Sequence, residues 1–184
     1  VDTGFFKPAT VGRRSEVFRV VTVGHWLRDW KAIGKVATML RKESDIEFHI
    51  VTNRDTEMPV LESVIYHRDI SDAGLLALYQ QCDALFLPLI DSTANNSLLE
   101  GIACGLPVIS TRMESVSAYL PSNEAILLDR NQSAELADAI MHLKKNPDAR
   151  SQMARQARQR ATELSWQNIA RRYEALYTES VAAS

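Results

Sequence analysis

Only two cysteines, Cys82 and Cys104, occur in 184 residues. So few exclude a disulfide framework, and each lies in an apolar helical stretch, so buried thiols in a reducing cytosol are expected. An excess of charge of one sign is also missing, since 21 Lys and Arg stand against 23 Asp and Glu for a net charge of -2. That balance excludes a global basic field that recruits nucleic acid, so any anion site has to be local. No apolar run approaches the roughly 20 residues that a membrane span needs, and no signal peptide is visible. A soluble, cytoplasmic protein is the expectation. Arg155, Arg158 and Arg160 form a basic strip on a late helix; its first reading is a solvated face, and contact with the inner face of an anionic membrane is the second.

What remains is an ordinary globular composition, 46% hydrophobic and 24% charged, which excludes disordered and collagen-like chains. A chain of this length makes one domain, and on folding it hides roughly 70% of the surface its unfolded form exposes. The first residue, Val1, is not an initiator Met, and Val1 to Pro8 reads as a connecting segment. The expectation is a piece of something longer.

Strands and helices alternate along the chain. Val17 to Val23 is β-branched and runs into Gly24, which predicts a strand feeding a turn. Asp29 can cap the helix that follows, where Trp30, Ile33, Val36, Ala37 and Leu40 recur at helical spacing. Further strands are predicted at 47–52 and 64–66, and Ser71-Asp72 caps a helix whose Leu75, Leu78, Tyr79 and Cys82 share a face. Ala84 to Leu89 is apolar on both alternating faces, as a central parallel strand should be. A helix from Asn96 to Cys104 closed by Gly105, strands at 108–111 and 125–128, a short helix before Pro121 and a helix from Ser133 to Asn146 come next. Two last helices carry stripes of Met153, Ala157, Ala161 and Leu164, then of Trp166, Ile169, Tyr173 and Leu176. The predicted fold class is α/β, a doubly wound, Rossmann-like parallel sheet with right-handed crossovers.

Such sheets bind ligands outside the carboxyl ends of their strands. Four segments lie there: Gly24 to Lys31 with the cations Arg28 and Lys31, Tyr66-His67-Arg68-Asp69, Asp91 to Glu100, and Arg112 to Ser115. The third is the richest. Thr93, Ala94, Asn95, Asn96 and Ser97 lead into a helix whose first amides can hold a phosphate, although Asn95 or Asn96 can equally serve as ordinary caps. Glu100, one turn further on, can accept hydrogen bonds from two neighbouring sugar hydroxyls.

Val1 to Pro8, then Val23-Gly24, Tyr79 to Pro88, and Leu99-Glu100-Gly101-Ile102-Ala103-Cys104-Gly105-Leu106-Pro107-Val108-Ile109 together closely resemble the C-terminal half of GT-B glycosyltransferases, notably family 4. The resemblance covers nearly the whole chain, including the closing helix after Ser165-Trp166. It implies a hexosyltransferase-like enzyme domain that binds a nucleoside diphosphate sugar of the UDP or GDP type. It also implies a partner N-terminal domain that holds the acceptor, transfer with retention, and neither metal nor cofactor. The histidines His25, His49, His67 and His142 show no metal-ligand spacing with the cysteines. Such a half would bind donor but scarcely turn over alone.

By the same resemblance Glu100 corresponds to the second glutamate of a Glu-x7-Glu motif and holds the donor ribose. Gly24, Arg28 and Lys31 fall near the phosphate site, Thr93, Ala94, Asn95, Asn96 and Ser97 border the donor sugar and phosphate, and His67 and Arg68 lie near the base. The chain departs from the family pattern in three places. Ser92 stands where the first glutamate is expected, with Asp91 beside it as a carboxylate one residue away; His25 replaces an arginine; and Arg112 to Ser115 replaces a glycine-rich loop. The catalytic candidates are therefore Asp91, Ser92 and Glu100. The implied division is a linker over 1–16, a donor-binding domain over 17–164 and a closing helix over 165–184. The alternative is a non-catalytic nucleotide-sugar-binding or assembly module with a degenerate active site.

Overall fold

Val20, Val21 and Val23, branched at Cβ and flanked by residues of alternating inward aim, fold as a strand because a branched side chain fits a pleated surface buried on both sides. In the computed structural model, which describes residues 1–10, 15–92, 95–121 and 123–182, this strand is β1 (Phe18–Val23). It is followed by α1 (Trp30–Met39), β2 (Ile46–Val51), β3 (Val64–His67), α2 (Asp72–Gln81), β4 (Ala84–Leu87) and α3 (Asn96–Ala103). The chain continues through β5 (Val108–Thr111), α4 (Glu114–Tyr119), β6 (Ala125–Leu128), α5 (Ser133–Lys145), α6 (Pro147–Glu163) and α7 (Trp166–Ala182).

The six strands pair in parallel in the order β3-β2-β1-β4-β5-β6. Strand order reverses between β1 and β4, so the loops that leave these two strands diverge and open a crevice. Alternation along each strand divides the core into two layers. Phe18 and Val20 of β1 with Phe86 of β4 meet α1 and α5 on one face. Val21, Val23, Leu85 and Leu87 meet α2, α3 and α6 on the other. All four residues of β4 are buried, which is why that segment reads as a continuous apolar run.

Local signals set most helix ends. Asp29, Ser71 and Asn95 each accept a hydrogen bond from an amide of the first turn they cap. The Asn146-Pro147 pair both stops α5 and starts α6, with Pro147 at the first helical position, where its missing N–H costs nothing. Gly105 follows α3 at φ 76°, a left-handed conformation that glycine adopts without strain. Cys104 is buried and Cys82 half-buried, with no disulfide between them, and burial pushes the Cys104 thiol up to about 12.

Two features depart from the sequence expectation. On α7, Trp166, Tyr173, Leu176 and Tyr177 are exposed, so the stripe that predicted a buried face lies uncovered among the described residues. The basic strip on α6 is largely turned inward. Arg158 donates to the carbonyls of Thr3, Phe6 and Ala103 at 2.6–3.0 Å, and Arg160 to those of Ala118 and Tyr119. Only Arg155 of the three stays exposed.

Arg158 thus closes the last turn of α3 and ties residues 3–6 to it, satisfying carbonyls that have no other helical partner. Arg158→Met should lower the free energy of unfolding by about 2 kcal/mol, since charge-assisted hydrogen bonds to half-buried carbonyls are lost. Urea denaturation of the two proteins would measure it.

Candidate functional site

A cleft of about 360 Å³ opens at the carboxyl end of β1 and β4, lined by residues 23–28, Asp91, Ser92, Asn95, Asn96, Ser97 and Glu100. Its floor is a tight turn. Gly24 adopts φ 89° and Leu27 φ 62°, and a left-handed backbone is costly for a leucine, of order 1 kcal/mol or more. The turn is held by the Ile90 amide donating to the Leu27 carbonyl at 3.1 Å and the Asp29 amide donating to the Pro88 carbonyl at 2.9 Å. A Cβ on Gly24 would lie 3.0 Å from Nη2 of Arg28, so the glycine also makes room for the guanidinium.

Arg28 is the centre of the site. Nε and Nη2 donate to the Val23 carbonyl at 3.0 and 2.7 Å, Nη1 donates to the Trp26 carbonyl at 3.0 Å, and Nη2 donates to Ser97 Oγ at 2.8 Å. A guanidinium has five N–H groups. Among the described residues four of them find protein acceptors, and the second N–H on Nη1 does not. Burial pulls the Arg28 guanidinium below its ordinary value, yet arginine stays charged in proteins.

The cation sits against the start of α3. Asn95 Oδ1 accepts from the Leu98 amide at 3.2 Å and from Ser97 Oγ at 2.7 Å. This side-chain cap leaves the Asn96 and Ser97 amides with no intrahelical acceptor, at the positive end of the helix dipole. Asn95 is buried and Asn96 exposed. The sequence allowed either one as the cap, and Asn95 is the residue that does it.

Glu100 lines the same cleft. It is half-buried, and burial pushes its carboxyl up, while a hydrogen bond from Tyr79 pulls part of the way back and the Asp72 charge adds to the rise. Asp91 is exposed and accepts from the Ser92 amide at 2.7 Å. The Ser92 carbonyl accepts from Ser115 Oγ at 3.0 Å, which ties the fourth predicted segment to the third. His25 lines the cleft beside Trp30, with ring centroids 5.7 Å apart, and its buried Nδ1 has no hydrogen-bond partner among the described residues. Trp30 packs against the core while Trp26 stands 74% exposed at the rim.

The cleft brings together Gly24, His25, Arg28, Asp91, Ser92, Asn95, Asn96, Ser97 and Glu100. Thr93 and Ala94 lie outside the described residues. Three other candidates do not line this cleft. Lys31 is exposed on α1 and lines a separate groove with Gly34, Met58 and Pro59. His67 and Arg68 lie at the end of edge strand β3. There the His67 ring stacks on His49, with Nε2 2.9 Å from His49 Nδ1, and Arg68 pairs with Asp55 at 2.7 Å. Lys31 shares that groove with Gly34 and Lys35 of its own helix. Sequence reasoning missed the backbone of Val23 and Trp26 as the anchor of Arg28, and it read Tyr79 only as a core residue.

Comparison with known proteins shows the family and the fold. A family profile described as glycosyl transferase-like matches residues 25–175. A D-inositol 3-phosphate glycosyltransferase of Corynebacterium urealyticum is 29% identical over 122 residues, 66% of this chain and 29% of that protein. An MMP alpha-(1->4)-mannosyltransferase of Mycolicibacterium hassiacum is 26% identical over 194 residues, 99% of this chain and 47% of that protein. The chain thus spans less than half the length of either relative. Among solved structures, the sucrose-phosphate synthase of Thermosynechococcus elongatus superimposes with TM-score 0.80 at 19% identity, covering 100% of this chain and 52% of that one. The C-terminal domain of a group 1 glycosyl transferase from Francisella tularensis gives TM-score 0.73 at 17% identity, over 88% of this chain and 96% of that one. The chain belongs to the glycosyl transferase-like family, and its fold is that of the C-terminal domain of a GT-B glycosyltransferase.

Proposed function

We propose that this chain is the donor-binding half of a GT-B glycosyltransferase. It holds a nucleoside diphosphate sugar of the UDP or GDP type in the cleft between β1 and β4, for transfer with retention to an acceptor carried by a separate N-terminal domain. The observation that carries the reading is the meeting of a half-buried cation, a helix N-terminus and a half-buried carboxylate around one cleft. Arg28 and the amides at the start of α3 are both positive and face the same space, an arrangement that favours a dianionic group there. A diphosphate leaving group develops negative charge as the glycosidic bond breaks, so donors already in place stabilise it without reorganisation. Glu100, which lines the same cleft, accepts from the ribose diol.

Arg28 takes the phosphate role here in preference to Lys31, whose groove lies elsewhere on α1. Asp91 and Ser92, on the loop after β4, border the sugar, and the loop is held by Ser115. The domain alone scarcely turns over, because the acceptor side of the cleft is supplied by the other half.

Isothermal titration with UDP- and GDP-sugars should show saturable binding to the folded chain, and absence of binding at millimolar ligand would overturn the reading. Arg28→Met should weaken nucleoside diphosphate binding by about tenfold or more while changing nucleoside affinity little, because the lost interaction is with phosphate. The pH dependence follows from Glu100. Burial favours its protonated form, so it takes up a proton at higher pH than an exposed glutamate. Only the ionised form can accept from both hydroxyls of the diol. Nucleotide affinity should be full at neutral pH and fall as the solution becomes weakly acidic, and in Glu100→Gln that fall should be absent. Titrations across this range in both proteins would decide it.

A further inference from the structure

One fully buried polar group lies behind the cleft wall without lining it. Tyr79, on α2, has 0% exposure, and its hydroxyl donates to Glu100 Oε2 at 3.1 Å. The Ser97 carbonyl lies 3.4 Å from the same hydroxyl; the single proton goes to the nearer and charged acceptor. Burial, with the Glu100 charge beside it, pushes the phenol well above its ordinary value, so the hydroxyl keeps a proton to donate. Its ring is fixed by the layer that holds Leu98 and Ile102, and by an edge contact with Phe6 at 6.1 Å between centroids.

A glutamate one turn into a helix has free torsions along its side chain, and holding it in one arrangement costs entropy. A buried tyrosine that grips one carboxylate oxygen meets that cost in the folded protein, before ligand arrives. With Oε2 engaged at the back of the wall, Oε1 is the oxygen left for the cleft.

We infer that Tyr79 is a positioning residue for nucleotide recognition: its hydroxyl holds the Glu100 carboxylate so that the remaining acceptor capacity faces the vicinal hydroxyls of the ribose. This rests on the reading that Glu100 accepts from the donor ribose. It adds a residue on a different helix, out of contact with ligand, to the determinants of ribose recognition.

The test is titration calorimetry of the wild type, Tyr79→Phe, Glu100→Gln and the double variant with UDP or GDP and with the 2′,3′-dideoxy form of the same nucleotide. Tyr79→Phe keeps the ring and removes only the donor. Its affinity for the ribonucleotide should fall about five- to tenfold, its affinity for the dideoxynucleotide should stay that of the wild type, and it should cause no further loss when added to Glu100→Gln. The dideoxynucleotide also reports whether the variant cleft is folded. An equal loss for both nucleotides, or no loss for either, would overturn the inference. If Glu100→Gln abolishes the preference for ribose and Tyr79→Phe keeps it, the ribose role of Glu100 stands and the inference alone fails. A wild type that does not prefer the ribonucleotide would sink both.

Discussion

The guanidinium of Arg28 is the contact on which the site depends. It is drawn out of water at the point where β1 ends and α3 begins, and it remains charged. Two of its N–H groups close on the Val23 carbonyl and another on Ser97, so one side chain fixes the distance between the turn after β1 and the first turn of α3. Those partners supply dipoles but no formal negative charge. A cation beside the positive end of a helix dipole is unfavourable by a fraction of a kcal/mol for each such contact. The charge of Arg28 is therefore solvated by its neutral partners without being neutralised by them, while the carboxylates of Asp91 and Glu100 line the same cleft.

That arrangement constrains its surroundings. Gly24 has to be a glycine both for its positive φ and because a Cβ would press on Nη2. Leu27 accepts a left-handed backbone for which leucine has no intrinsic preference, and the hydrogen bonds from the loop after β4 hold it there. Gly101, one residue past Glu100, lets α3 lie against β4, where an added Cβ would approach Leu85 Cδ2 to 2.6 Å. The closeness of α3 to the sheet is what carries Asn95, Ser97 and Glu100 to the crevice at the reversal of strand order. The geometry of the cleft and core packing are thus one problem: the small residues that let the layers meet also place the polar ones.

The wall around Glu100 follows the same logic at a buried polar group. A tyrosine in the core must find an acceptor for its hydroxyl, and a carboxylate leaving water must find donors. Each answers the other's need, at 3.1 Å between the hydroxyl and Oε2. At the far edge of the sheet, β3 spends its polar residues differently. His67 meets His49, whose own Nε2 lies 3.2 Å from Glu47, and Arg68 meets Asp55 in the open. These groups serve one another and lie away from the cleft described above.

The order of strands and helices, the caps Asp29 and Ser71, a third cap at Asn95 or Asn96, the central placement of β4 and the concentration of polar residues before α3 were all legible in the amino-acid sequence. Each is encoded in periods of two or 3.6 residues or in the chemistry of one or two neighbours, and neither depends on distant parts of the chain. Glu100 was legible too, through its position one turn into a helix that follows a buried strand. Four things were decided by the tertiary structure alone: the anchoring of Arg28 to Ser97 across 69 residues, the pairing of Tyr79 with Glu100 across 21, the turning of Lys31 into another groove, and the inward use of Arg158 and Arg160. The physical reason is common to all four. A side chain's partner is chosen by where packing sets neighbouring layers, and local spacing carries no record of that.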